Sequence, residues 1–285
     1  MTWNSYHIHF SAGLGAAADG FLADLYPKME QQQADGHVRR YFFIRYSEGG
    51  PHVRLRISPS ATGMEPVQTT LRQSVEASGA RLEVQDYDRG AHYFGETLDS
   101  VYAELLNVAT SKLSLALLQH FGPERRGERW ITLTCLLGSC LRDSVDAEDW
   151  EQALQEARDF TLRAGRSIGL GPESAGQQAG RRWADTVARA WPQVEAGLVP
   201  ELIKPVVKLL RRVRRRGPDG HDVAMHALHL LCNKTGFSLA EEHESFATLA
   251  TVAPFATGPF ATAPFATAPF PAGPFPAGPN SEDPS

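Results

Sequence analysis

Several familiar signatures are missing from these 285 residues. There are three cysteines, Cys135, Cys140 and Cys232, and none belongs to a Cys-x-x-Cys pair. An odd number of isolated thiols suits a reducing compartment better than a disulfide framework. The opening MTWNSYHIHF has neither the basic segment nor the apolar run of a secretory signal. No stretch approaches the roughly 20 apolar residues of a membrane span. A cytoplasmic protein with no membrane partner is therefore expected. A basic excess is also lacking: the net charge is −5 and the pI near 6.1, which argues against direct nucleic-acid binding. There is no P-loop, no Gly-x-Gly-x-x-Gly after a strand, no Gly-x-Ser-x-Gly elbow and no His-Glu-x-x-His. Nucleotide, dinucleotide, α/β-hydrolase and zincin chemistries lose their usual support, and a reaction without cofactor is expected.

The 42% of apolar residues is enough for a substantial core. Trp3 to Phe10 alternates as a strand does, and Leu14 to Gln33 reads as a helix. Arg40 to Tyr46 is aromatic and β-branched. The turn Ser47-Glu48-Gly49-Gly50-Pro51 follows, and His52 to Ile57 alternates strictly. Two such strands around a Gly-rich connector predict a hairpin. A helix over Pro66 to Ser78 and a strand over Arg81 to Tyr87 complete a β-α-β-β-α-β order, that of the ferredoxin-like split βαβ motif. The fold class expected is α+β, with residues 1–95 as the ferredoxin-like unit. Residues 96–250 form a helical layer on it, within the same domain or as a close second one. Helices are predicted over Glu96–Phe121, Arg129–Asp143, Ala147–Ile168, Ala175–Trp191, Val199–Arg216 and Asp222–Thr235, with Gly and Pro breakers between them. Ser238, with Glu241 three residues on, matches a capping box that opens the last helix. From about Pro254 to Pro279 the chain repeats Pro-Phe-Ala-Thr and Pro-Phe-Pro-Ala-Gly units, and the low-complexity tail over residues 251–285 is expected to be disordered.

Side chains alternate along a strand, so Val53, Leu55 and Ile57 share one face of the second hairpin strand while His52, Arg54 and Arg56 share the other. A ferredoxin-like sheet covers one face with its own helices, and the apolar trio belongs there. The other face carries two planar guanidinium forks suited to carboxylates or peptide carbonyls. Two readings stay open: a substrate-binding site beneath the helical layer, or a solvated polar face with salt-bridged arginines. His226 and His229 lie three apart on a predicted helix, with Cys232 three further on. No fourth ligand has a matching spacing, so no metal is assigned there. Imidazole ordinarily titrates near neutral pH, so one of this pair is a candidate general acid or base. The run Lys208 to Arg216 is the strong basic cluster of the chain. It is either the solvated face of an amphipathic helix or a docking surface for an acidic peptide segment, with Arg211, Arg212 and Arg215 as the candidates.

Three segments, in order, resemble the lantibiotic dehydratase C-terminal domain, also called the thiopeptide-type bacteriocin biosynthesis domain. RYFFIRYSEGGPHVRLRI, Arg40 to Ile57, resembles the family's aromatic strand ending in Arg-Tyr, short turn and His-x-Arg-x-Arg. DYDRGAHYFGETLDSVYAELL resembles its Tyr-Gly segment and following helix. HLLCNKTGFSLAEEH resembles its His-x-x-x-Asn-Arg-x-Gly segment with a downstream Glu. The resemblance implies an enzyme acting on a ribosomally made precursor peptide with a leader, standing alone or beside a partner glutamylating dehydratase.

Such members either eliminate glutamate from glutamylated Ser or Thr, or join two dehydroalanines in a formal aza-[4+2] cycloaddition. Loss of water and of the leader then yields a pyridine macrocycle. By resemblance, Arg54 and Arg56 match the pair that grips the glutamyl group in eliminating members, and His229 matches a proposed acid or base. Eliminating members usually carry an Arg just before the Tyr-Gly, where this chain has Tyr93 after His92. Losing a guanidinium weakens a carboxylate site, because a charge-assisted hydrogen bond is stronger than a neutral one. The expected activity is therefore pyridine-forming cyclisation, with His229, Tyr93 and His92 at the chemistry and His52, Arg54 and Arg56 binding substrate. Glutamate elimination and non-catalytic presentation of a leader peptide are the alternatives.

Overall fold

The computed structural model describes residues 3–47, 49–60, 63–87, 100–167, 174–197 and 200–256. The first six elements run β1 (Asn4–His9), α1 (Ala16–Ala34), β2 (Val38–Tyr46), β3 (His52–Pro59), α2 (Glu65–Ala77) and β4 (Arg81–Gln85). The sheet order is β2-β3-β1-β4, with every neighbouring pair antiparallel. Each helix thus carries the chain past one intervening strand, which is the predicted ferredoxin-like topology. The β2–β3 connection turns on Gly49 and Gly50, both at positive φ (+76° and +97°), and the Gly50 amide donates to the Ser47 carbonyl at 3.0 Å. Side chains with a Cβ are disfavoured in that backbone region, so glycine is what lets the hairpin close here.

Strand alternation divides this sheet into two unlike faces. Tyr6, Ile8, Tyr41, Phe43, Val53, Leu55 and Ile57 are buried against Phe21, Leu22 and Leu25 of α1 and Val67 and Leu71 of α2. Leu115 and Leu118 of α3 (Ser100–Phe121) join the same core. Burying one such aliphatic or aromatic side chain contributes about 1.5–3 kcal/mol, so the row fixes which face the polar alternates must occupy.

β2 is an edge strand, and side chains satisfy its open backbone. Ser111 of α3 accepts from the Phe43 amide at 3.1 Å. Asn233 accepts from the Arg45 amide at 3.0 Å and donates back to the Arg45 carbonyl at 3.1 Å. These bonds take the place of a further strand and blunt an edge that would otherwise template pairing. Arg45 itself is buried. It donates to the carbonyls of Lys234 (3.0 Å) and Leu14 (2.7 Å) and to the Asp19 carboxylate (2.6 Å).

Residues 1–124 and 226–236 form one compact unit, and 125–225 and 237–285 the other. The division expected near residue 95 therefore falls later, because α3 packs into the sheet core. The final part of α8 (Pro218–Thr235) also belongs with the sheet. The second unit contains α4 (Arg126–Asp143), a 3₁₀ turn (Ala147–Asp149), α5 (Trp150–Ser167), α6 (Ser174–Gly197), α7 (Pro200–Arg214) and α9 (Leu239–Ala256). Every residue of α4 from Arg129 to Leu141 is buried. A Cβ on its Gly138 would lie 2.3 Å from the Trp191 ring of α6 and 2.8 Å from Leu249 of α9, so glycine sets how closely these helices approach. The capping box expected at Ser238 is present: its amide donates to Glu241 at 2.8 Å, and the Glu241 amide donates to its hydroxyl at 3.3 Å. α9 runs on to Ala256, past the expected start of the tail, and residues 257–285 lie outside the described part. Among the described residues no helix is long and apolar enough to cross a membrane.

Candidate active site

The polar face of the sheet is a grid of four short rows. Ser5, His7 and His9 of β1 stand opposite Arg56, Arg54 and His52 of β3. On the far side of β1 they face Gln85, Glu83 and Arg81 of β4, and β3 in turn faces Phe42, Ile44 and Tyr46 of β2. His52, Arg54 and Arg56 are therefore brought together, as the alternation requires. This face is not a solvated exterior, since His52 is 2% and Arg56 7% exposed.

The three residues are held in different ways. His52 Nδ1 lies 2.7 Å from the Gly50 carbonyl, which only accepts, so this nitrogen carries the proton. Nε2 is left as an acceptor, and Arg54 Nε donates to it at 3.0 Å. Burial pushes the His52 pKa down, and Arg54 pushes it the same way, while the Gly50 bond opposes. His52 is thus a neutral imidazole that orients Arg54. The Arg54 guanidinium also lies over the Tyr46 ring, 3.4 Å from its centroid, a cation–π contact that fixes its plane. Arg56 lies 5.5 Å over the Tyr87 ring, near the edge-on pair Trp3 and Phe42 (4.9 Å).

Alternation in β1 adds two histidines that the sequence reading did not single out. His7 and His9 each stack on His52, with ring centroids 4.8 Å apart in both cases. Burial, then the charges of Arg56 and Arg54, lowers the His7 pKa to about 4. The signal was present in the alternation of Trp3 to Phe10, but only strand pairing shows which neighbour each histidine meets.

His229 lies on α8, in the same compact unit, with its ring 5.9 Å from that of His226. One helical turn further on, Asn233 makes the two bonds to the Arg45 backbone, next to Tyr46 on β2. The helix bearing His229 is thereby tied to the strand that supports Arg54. His226 is held near pKa 4, by burial first and then by His229 and Lys234. Cys232 is buried, and among the described residues no group of three or more His, Cys, Asp or Glu is arranged to hold a metal. His92 and Tyr93 lie outside the described residues.

The basic segment is dispersed. Val206, Leu210 and Val213 turn inward, and Arg214 is buried with them, 3.0 Å from Glu156. Arg211 and Arg215 line a cleft of about 320 Å³ together with Ser144, Asp146 and His221. Arg212 is exposed and is not part of that lining.

A ferredoxin-like sheet with an arginine- and histidine-bearing face, followed by a helical layer, defines the architectural class. Within it the chain belongs to the family described as lantibiotic biosynthesis dehydratase C-term, which matches residues 3–253. No curated protein matches the chain. Among solved structures it is similar to the tRNA-dependent lantibiotic dehydratase MibB from Microbispora sp. 107891, with 18% identity and a TM-score of 0.60 over 90% of this chain. The chain spans 28% of the length of MibB. It is also similar to TbtD, the pyridine synthase from thiomuracin biosynthesis (14% identity, TM-score 0.62, 90% of this chain and 98% of that one). TsrL matches as well (15% identity, TM-score 0.59, 89% and 94%). At these identities the likeness establishes the fold.

Proposed function

We propose that this protein catalyses formation of a pyridine macrocycle on a dehydrated precursor peptide, by formal aza-[4+2] cycloaddition of two dehydroalanines with loss of water and leader. The observation that carries this reading is the Arg54–Arg56 row, with Arg56 buried and the half-buried Arg54 held between His52 and Tyr46. A pre-oriented guanidinium facing a peptide carbonyl stabilises negative charge developing on its oxygen without reorganising during the reaction. The rest of the task is positioning: two segments of one peptide held in a reactive geometry gain most of their rate from lost freedom. His229 is the proton shuttle by resemblance, and Tyr93 with His92 completes the site. No metal or cofactor is assigned a role.

Two guanidiniums on one row also suit a free carboxylate. That favours glutamate elimination as the second reading, with Arg54 and Arg56 on the leaving glutamate and His229 or His92 handling the Cα proton. Tyr93 in the slot where eliminating members carry Arg places cyclisation first. The leader is proposed to dock at Arg211, Arg212 and Arg215, and a glutamylating dehydratase acts upstream. Incubating the purified protein with a leader-bearing, multiply dehydrated peptide tests the reading by mass spectrometry. Loss of the leader together with ring formation is expected. Release of glutamate from a glutamylated peptide instead would establish elimination, and binding of both peptides without mass change would leave a leader-presenting role.

A further inference from the structure

The two ends of the polar face differ in how their polar groups are satisfied. At the His52 end both imidazole nitrogens are engaged, and Arg54 is occupied by His52 and the Tyr46 ring. At the other end Arg56 has Ser5 directly opposite it on β1 and Phe42 directly opposite it on β2. Trp3 packs edge-on against Phe42, with ring centroids 4.9 Å apart, so its indole lies on this face as well. Ser5 is 1% and Trp3 5% exposed. The Ser5 hydroxyl and the Trp3 indole N–H are both buried, and among the described residues neither has a hydrogen-bond partner.

Orphaned polar groups of this kind are rare in folded proteins, because each forfeits its hydration without a replacement bond. A single one can be an accident of packing. Two of them beside a buried guanidinium, on the face that bears the candidate site, point to a ligand. Their chemistry narrows which kind. An indole N–H and a guanidinium only donate, and a hydroxyl is able to donate. The matching group is therefore an oxygen acceptor.

We infer that Trp3 and Ser5 are substrate-binding residues of the candidate active site, their N–H and O–H closing with Arg56 on one oxygen of the bound peptide. The inference rests on the peptide-modifying reading above and divides its arginine row. Arg54 is fixed by protein groups, whereas Arg56 acts with two neutral donors. Directly opposite residues hold their Cβ atoms roughly 4.5–5.5 Å apart, which lets Ser5 and Arg56 converge on one atom. The oxygen enters past Tyr87. That ring is half-buried and is the loose wall of the subsite, 6.1 Å from the Trp3 ring and 5.5 Å from the Arg56 guanidinium. Side-chain rotation of this sort is common on binding. The acceptor has two sources, a main-chain carbonyl of a dehydrated peptide or the carboxylate of a glutamylated one. A site whose buried donors need that oxygen discriminates against a peptide that lacks it, so Trp3 and Ser5 set affinity and specificity.

The test reads stability and binding separately, in the full chain. Ser5→Ala removes a hydroxyl that the protein does not bond, so its thermal midpoint should equal or exceed that of the wild type. Its Kd for the leader-bearing, dehydrated peptide should rise about tenfold, the loss of one hydrogen bond to a buried acceptor. In turnover the same factor should appear in KM, with kcat within about threefold. The indole N–H resonance of Trp3, identified as the one lost in Trp3→Phe, should move downfield when that peptide is added. Glutamylated peptide in a separate sample distinguishes the two sources, since whichever peptide moves the resonance supplies the oxygen. A lowered midpoint in Ser5→Ala would show the hydroxyl bonded within the protein and overturn the inference. So would an indole resonance that neither peptide moves, or unchanged peptide affinity in Ser5→Ala. A wild type that binds one peptide with these changes yet converts neither keeps the subsite and removes the cyclase and elimination readings.

Discussion

Two arginine-rich segments of this chain, His52–Arg56 on β3 and Arg211–Arg216 on and after α7, end in opposite arrangements. On the strand a period of two residues sends His52, Arg54 and Arg56 to one face, where register sets them against His9, His7 and Ser5. On the helix each residue advances by about 100°, so neighbouring arginines diverge. Arg214 is buried against Glu156, Arg211 and Arg215 enter the cleft, and Arg212 faces out. Arginine count alone is therefore a poor guide to a site. What concentrates charge is the period of the element that carries it.

The comparison breaks first at its support. Replacing Arg45 by Met removes one partner of a buried ion pair with Asp19 and the bonds to the Lys234 and Leu14 carbonyls, and should destabilise the fold by about 3–5 kcal/mol. Urea denaturation followed by circular dichroism would show it, and an unchanged midpoint would mean that β2 does not depend on this anchor.

Next comes the row itself. Arg56→Ala should leave the circular dichroism spectrum intact and reduce turnover of the dehydrated peptide by about 10²- to 10³-fold, the loss typical of a removed oxyanion donor. Unchanged kinetics would remove the hairpin from the site.

Acid should expose the cost in stability of histidines desolvated by burial. His7, His52 and His226 all have pKa values lowered by folding, His7 and His226 to about 4. The unfolded chain therefore binds more protons below the ordinary pKa of about 6.5. Stability is full above that value, falls as pH drops towards 4, and levels off there as the folded state also takes up protons. His226 contributes on the order of 3 kcal/mol to that window. His226→Asn should flatten the pH dependence of Tm between pH 6.5 and 4, and an equally steep profile in the variant would refute the assignment.

The helical segment gives the smallest effects. Arg214→Ala should cost about 1–2 kcal/mol through the half-buried pair with Glu156, whereas Arg212→Ala should stay within about 0.5 kcal/mol. Joint replacement of Arg211 and Arg215 by Ala should weaken binding of the leader-bearing peptide by about tenfold, more at low salt, with kcat unchanged. Equal affinity for variant and wild type in fluorescence anisotropy would move the leader elsewhere.

The hairpin was legible because everything it needs is local: alternating Val53, Leu55 and Ile57, and two glycines free to take positive φ. The βαββαβ order was readable from the same periodicities, and the Ser238–Glu241 capping box from its spacing alone. Less legible was the boundary of the sheet unit. α3 and the end of α8 join it through Ser111, Leu115, Leu118 and Asn233, residues with no local mark of what they will touch. Ser5, His7 and His9 were invisible as neighbours of β3, although each stands in a segment correctly read as a strand.

Taken alone, then, the sequence determined which residues share a face, since that follows from strand and helix period. It also carried the three ordered segments that mark the family. Only the tertiary structure decided what each face meets. Pairing β1 between β3 and β4 set Ser5 against Arg56 and His9 against His52, and burial turned His52 and His7 into neutral groups. Those outcomes depend on residues 43 to 51 positions apart in the chain. Their proximity is a product of register, and register is imposed by the apolar row buried on the opposite side of the same sheet.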